Sequence, residues 1–225
     1  MKKEILLVLS VVLMLSLTAC GHVSSTTTDE VQKVYDGDKK ILIAYFTLVE
    51  NVDTEISNLS DQISSQSVTR VDGTEMGNAA ALAQFAQKAV GGDISSIQVK
   101  NHYPGDYDQI SDKTKQESLD KVLPELSVQI DDFEQYDTVI LISSIWWGNL
   151  PRPVVSFLNK YDFSGKRIIP ITTSVSSGLG TAVSEIKSAC PDALVTEGLG
   201  TTGGTAKGYE TAVSDFLAEQ MEKGE

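Results

Sequence analysis

Cysteine, histidine and tryptophan are each present only twice, so the side chains that most often carry chemistry are scarce. Too few thiols and imidazoles remain to build a zinc site or a cysteine–histidine nucleophile. No Gly-x-Ser-x-Gly elbow follows an apolar run, which argues against a serine hydrolase of that type. Neither catalytic residues nor metal ligands are expected. Basic residues are also short, 18 Lys and Arg against 31 Asp and Glu, for a formal charge of −13. A surface of that sign repels nucleic acid and anionic lipid and suits basic protein partners. Internal repeats are absent.

Only one long apolar run occurs, Ile5 to Leu17, broken by Ser10 and Ser16. A membrane-spanning helix needs about 20 residues, so this run, preceded by Lys2 and Lys3, reads as the core of a signal peptide over residues 1–19. It ends in Leu17-Thr18-Ala19-Cys20, which resembles the lipobox of bacterial lipoproteins. That resemblance implies cleavage after Ala19, lipidation of Cys20, and attachment at the extracytoplasmic face of the bacterial cell membrane. An ordinary secretory signal or an uncleaved anchor is the alternative. Loss of Lys2, Lys3 and Glu4 would leave a charge of about −14. Residues 20–39 are rich in Ser, Thr and Asp and read as a flexible tether, and His22 falls within it. The other cysteine, Cys190, precedes Pro191 at the end of a helical stretch and reads as packing.

Residues 40–225 then form one domain. Ile41 to Phe46 and Thr138 to Ser143 are continuous apolar runs, the mark of strands buried on both faces. Arg167 to Ile171 is a further strand, Ile94 to Val99 a more polar edge strand, and Leu194-Val195 a short last one. Helices are expected over Ala79 to Val90 with Asn78 as cap, Tyr107 to Val122, Val154 to Lys160, Leu179 to Ala189 and Tyr209 to Glu222. Strands alternating with helices demand an α/β fold, doubly wound, with a five-stranded parallel sheet and helices on both faces. The expected strand order is 2-1-3-4-5. Leu48 to Met76 breaks this rhythm, because about 2 to 6 residues usually join a strand to its helix. It reads as an insertion, with a short surface helix within Asp53 to Ile63.

In an open α/β sheet the ligand lies beyond the carboxyl ends of the strands, and the loops there are chemically unusual. After the third strand comes Ser143-Ser144-Ile145-Trp146-Trp147-Gly148-Asn149-Leu150-Pro151, which holds both tryptophans of the chain. Indoles supply flat walls for an aromatic ligand, or they plug the sheet end. After the fourth strand comes Thr172-Thr173-Ser174-Val175-Ser176-Ser177-Gly178-Leu179-Gly180, rich in hydroxyls, with glycine where a helix is expected to start. Gly200 to Gly208, after the last strand, could cover a ligand or simply turn the chain. His102 reads as an exposed turn residue. Asp131, Asp132, Glu134 and Asp137 read as a solvated face.

From Lys40 onward the chain resembles the flavodoxin-like FMN-binding family. The likeness rests on the Trp-Trp-Gly loop, the Ser-Gly-Leu-Gly loop, Tyr103-Pro104-Gly105-Asp106-Tyr107 and the run from Phe157 to Lys166. It implies FMN, with Ile145, Trp146, Trp147, Gly148 and Asn149 on one side of its ring. Thr173, Ser174, Ser177 and Gly178 would lie on the other, and the phosphate would sit after the first strand. There the chain departs from the family pattern. Read contiguously, Glu50 falls where a glycine belongs, and a carboxylate near a phosphate charge costs roughly 4 kcal/mol at an effective dielectric near 20. Read as split by the insertion, Thr47 ends the strand and Gly77, Asn78 and Ala79 reopen at the helix. Ala79 then lacks a hydroxyl worth about 1.5–3 kcal/mol.

The resemblance implies an oxidoreductase or electron carrier whose partner is a redox protein or a small acceptor such as a quinone. The alternative is a lipoprotein that binds a ligand or partner on the same scaffold without flavin.

Overall fold

Strands Ile41–Phe46 (β1), Thr138–Ser144 and Arg167–Thr173 lie in the middle of a parallel sheet, because their side chains are apolar on both faces. The computed structural model describes residues 40–223. The expected signal peptide, Cys20 and the expected tether fall outside the described residues.

Chain order continues from β1 through two 3-10 helices, Leu48–Asn51 and Ile56–Asn58, to helix α1 (Asp61–Ser67). A hairpin follows, β2 (Val68–Val71) and β3 (Thr74–Gly77), and then α2 (Asn78–Val90), β4 (Asp93–Ser96) and α3 (Tyr107–Leu119). The second half comprises β5 (Thr138–Ser144), α4 (Arg152–Lys160), β6 (Arg167–Thr173), α5 (Ala182–Ala189), β7 (Leu194–Val195), β8 (Leu199–Thr201) and α6 (Glu210–Glu222).

The main sheet runs β4-β1-β5-β6-β7, with β8 also paired to β6, and every pairing in it is parallel. Leaving out the hairpin and β8, this is the order 2-1-3-4-5. Because strand side chains alternate, each strand feeds two cores. Leu42, Ala44, Phe46, Val139, Leu141 and Ile168 pack with residues of α3, α4 and α5 on one face. Ile41, Ile43, Ile140, Ile142, Ile169 and Ile171 pack with α2 and α6 on the other.

Several expected boundaries shift. Gly77, not Asn78, is the cap of α2, and Asn78 is the first helical residue. The edge strand β4 stops at Ser96; Val99 instead bridges Leu126. Helix α3 stops at Leu119, and α5 starts at Ala182, since Ser177 to Thr181 is taken up by turns. In the insertion the helix is Asp61–Ser67, later than expected, and a hairpin follows that the sequence reading lacks. Its turn is Asp72-Gly73, both with positive φ (48° and 83°), the geometry that Asp-Gly favours. Part of the Gly200–Gly208 loop is strand β8.

Candidate functional site

The carboxyl ends of three strands bring hydroxyls into line. Ser144 of β5 pairs in register with Thr173 of β6, and Thr173 pairs with Thr201 of β8. Residues paired in a parallel sheet point to one face. Two residues on from Ile142 and Ile171, that is the face of α2 and α6. Thr47, just past β1, is buried beside the start of α2. A chamber of about 90 Å³ opens there, walled by Thr47, Asn78, Ala79, Ser144, Thr173 and Ser174. Ile145, Trp146, Val175 and the insertion residues Leu48, Gln66 and Ser67 complete it. The Oγ of Ser144 and of Thr201 are buried without a hydrogen-bond partner. An unmet buried hydroxyl is costly, and a ligand oxygen in the chamber would relieve Ser144.

The two ends of the interrupted loop do meet. Gly77 lies so close to Thr47 that a Cβ there would run into the threonine side chain. Glycine is thus required at the splice between insertion and helix. Helices leave their first N–H groups unpaired, so Asn78 and Ala79, both on the chamber wall, open α2 toward it. The Asn78 side chain is turned elsewhere. Its Nδ2 donates to the carbonyls of Gln66 (3.0 Å) and Gly204 (2.7 Å), and its Oδ1 accepts the amide of Ala206 at 3.0 Å. It ties the insertion and the 204–206 turn to the helix. That turn is held further by Gly203 and Gly204 amides on the carbonyls of Val175 and Ser174, and residues 204–206 do not line this chamber.

Glu50 takes no part in the chamber. Its carboxylate accepts the hydroxyl of Tyr45 at 2.8 Å and that of Ser96. Burial, reinforced by this carboxylate, pushes the Tyr45 phenol well above its usual range. Asn51, fully buried, accepts the amide of Val99 at 2.8 Å and donates to the carbonyls of Thr47 (2.8 Å) and Ile97 (3.2 Å). It fixes the start of the insertion to the segment after β4. His102 is likewise remote, with Nδ1 3.2 Å from the Asp53 carboxylate.

The Trp-Trp-Gly segment is a tight turn. Trp146 and Asn149 exchange both backbone hydrogen bonds, each 2.9 Å, and the central Trp147 and Gly148 have φ of 56° and 81°. Positive φ at both central positions defines a type I′ turn, and a bulky residue there is strained. The two indoles part company. Trp146 packs inward, edge-on to Phe46 (5.3 Å) and Tyr103 (5.6 Å). Trp147 is 53% exposed, and its Nε1 donates to Thr114 Oγ1 at 3.1 Å.

What holds this turn has no signature in the sequence. Thr181 donates its amide to the Gly148 carbonyl at 2.9 Å, its hydroxyl lies 2.9 Å from Asn149 Oδ1, and Glu185 accepts both that hydroxyl and the Leu150 amide (3.0 Å). Thus Thr181, beside α5, and Glu185, in its first turn, clamp the loop after β5. No local motif marks a contact across so many residues. Of the residues singled out by sequence, Thr47, Asn78, Ala79, Ile145, Trp146, Thr173 and Ser174 line this chamber, and Trp147 lines a neighbouring one. Gly77 lies behind Thr47. Gly148, Asn149, Ser177 and Gly178 line neither chamber, and the Gly178 carbonyl accepts Thr172 Oγ1 at 2.9 Å.

A family model described as Flavodoxin matches residues 68–214, starting inside the insertion. Among solved structures, a chain assigned as a flavoprotein from Bacteroides eggerthii aligns with a TM-score of 0.59 at 25% identity, over 79% of this chain and 95% of that one. Another so assigned, from Bacteroides uniformis, aligns at 0.57 and 25%, over 80% and 97%. A flavoprotein in complex with FMN, from Lactobacillus acidophilus, shares the fold at 16% identity and a TM-score of 0.54, over 71% and 91%. Among curated proteins, none matches this chain significantly.

Proposed function

The chain belongs to the flavodoxin family, and from that premise we propose that it binds FMN noncovalently at the carboxyl edge of its sheet and passes electrons through it. The observation that carries this reading is the hydroxyl row beside the α2 N-terminus. Thr47, Ser144, Thr173 and Ser174 line the chamber with Asn78 and Ala79, no carboxylate joins them, and Ser144 Oγ is unmet. That donor set suits a phosphate or a ribityl chain: helix N–H groups favour an anion, and hydroxyls can donate to it. Glu50, the one carboxylate that could have opposed it, is engaged with Tyr45 and Ser96.

In this reading Thr47 and the first amides of α2 hold the phosphate. The Ile145–Asn149 turn, clamped by Thr181 and Glu185, sets one side of the ring, and the loop from Thr173 to Gly178 sets the other. Leu48, Gln66 and Ser67 exclude water from the chamber. Bound FMN supplies the one- and two-electron chemistry, while the protein orients it and sets its electrostatic surroundings. The flavin-free alternative is favoured by one observation, the methyl of Ala79 where a hydroxyl would help. Protein purified without added flavin should be yellow and should release FMN, not riboflavin, on denaturation. A colourless protein that takes up no added FMN would overturn the reading.

The electron partner is a redox protein or a small acceptor. The lipobox-like Leu17-Thr18-Ala19-Cys20 supports a lipid on Cys20 that holds the domain at the extracytoplasmic face of the bacterial membrane. Among the described residues no helix is long and apolar enough to cross a membrane. Replacing Cys20 by Ser should release the protein from the membrane fraction; sedimentation of that variant with membranes at high salt would contradict lipid anchoring.

A further inference from the structure

Next to the hydroxyl-lined chamber is a second one of about 220 Å³, and its chemistry is different. Tyr107 of α3 and both tryptophans bring aromatic rings to it, and Leu48, Ile63 and Ile110 add aliphatic surface. No carboxylate, ammonium or guanidinium lines it. Its polar groups are neutral, and one of them, Thr114 Oγ1, already accepts Trp147 Nε1, which leaves the hydroxyls of Ser111 and Tyr107 on α3 to meet a ligand. None of residues 172–178 borders it. A flavin ring held between the Trp-Trp-Gly turn and that loop therefore leaves this chamber free. It is also close to the first: Ile145, Trp146, Leu48, Gln66 and Ser67 wall both.

Size and lining define what could enter. An apolar cavity of about 150 Å³ takes benzene, so this one has room for one ring or two fused rings. Transfer of a charged group into it would forfeit hydration with no counter-charge in the lining. Offset or edge-on packing against indole and phenol favours a flat π-system. We propose that this chamber is a second ligand site, for a small, uncharged, flat ring compound with a carbonyl or hydroxyl at its edge. Such a compound would lie one side chain away from the proposed flavin site, and its binding does not depend on flavin being there.

The chain's two tryptophans both wall the chamber, so the two indole N–H resonances of the full-length protein report on it without labels elsewhere. Naphthoquinone is the probe. It should shift both resonances saturably in flavin-free protein, and sulfonated naphthoquinone should bind about tenfold more weakly or less. Ser111→Phe, which fills the chamber from α3, should weaken naphthoquinone about tenfold and leave FMN affinity unchanged. Tyr107→Ala, which removes a ring instead of adding one, gives the same test should the larger side chain disturb folding. Absence of a saturable shift, equal binding of the sulfonate, or unaltered naphthoquinone affinity in both variants would overturn the proposal. So would loss of FMN together with naphthoquinone in Ser111→Phe, because the chamber would then be the seat of the flavin ring. Saturable naphthoquinone binding by protein that takes no FMN would uphold this site and defeat the flavin reading.

Discussion

Ala79 and Glu50 decide between two arrangements of the loop after β1. Ala79 lines the hydroxyl-rich chamber, whereas Glu50 is spent on Tyr45 and Ser96. Ala79→Thr should therefore add a donor beside the phosphate and tighten FMN by about 1.5–3 kcal/mol, with riboflavin unchanged. Glu50→Gln should leave FMN affinity within about twofold of the parent. Parallel titrations of both variants check this, and a large FMN gain from Glu50→Gln alone would favour the contiguous loop. Trp147 offers a second residue-level test. Its φ of 56° is strained for any residue with a Cβ, by about 1–2 kcal/mol. Trp147→Gly should then be about 1 kcal/mol more stable toward urea than Trp147→Ala, although glycine usually costs stability. The reverse order would mean that the turn stores no strain.

The elements that shape the site are a turn held by a helix and an insertion held by two asparagines. Thr181 secures the carbonyl of Gly148 and Glu185 secures the amide of Leu150. Thr181→Val removes the hydroxyl at similar size, so Glu185 and Asn149 lose a partner. The expected result is faster hydrogen exchange at the Trp146 and Asn149 amides and a stability loss of about 0.5–1.5 kcal/mol. Unaltered exchange at those two amides would show that the turn stands without the clamp. This clamp was not legible in the sequence, because Thr181 and Glu185 stand at the start of α5, their partners lie in the loop after β5, and only the fold brings them together. The hairpin Val68–Val71/Thr74–Gly77 was partly legible: Asp72-Gly73 is a turn signal, but Thr69, Arg70, Thr74 and Glu75 hide the apolar alternation around it. Helix α5 was read too long because Leu179 fits a helical pattern, while the turns at Ser177 to Thr181 are set by contacts with the neighbouring loop.

At the scale of the molecule, the sheet order was legible because β1, β5 and β6 are apolar on both faces and separated by helix-length segments. The short β8 was not, since Leu199-Gly200-Thr201 reads as loop and gains its pairing only from β6. The meeting of Thr47 and Gly77 was legible as one of two possibilities, and the packing of the threonine against the glycine selects it. Global stability should carry the mark of Cys190, a free buried thiol whose pKa burial raises from 9.0 to about 11. The unfolded chain loses this proton first as pH rises, so the contribution of the thiol is complete below pH 9 and disappears by about pH 11. Urea unfolding of a Cys190→Ala variant should show a shallower alkaline loss than the parent, and identical slopes would contradict that assignment. The most direct measurement of the central claim compares FMN with riboflavin in titrations of the flavin-free protein. A working phosphate site at Thr47 and the α2 N-terminus predicts that FMN binds at least about tenfold more tightly, near 1.4 kcal/mol. Equal affinity for the two flavins, or no binding of either, would contradict it.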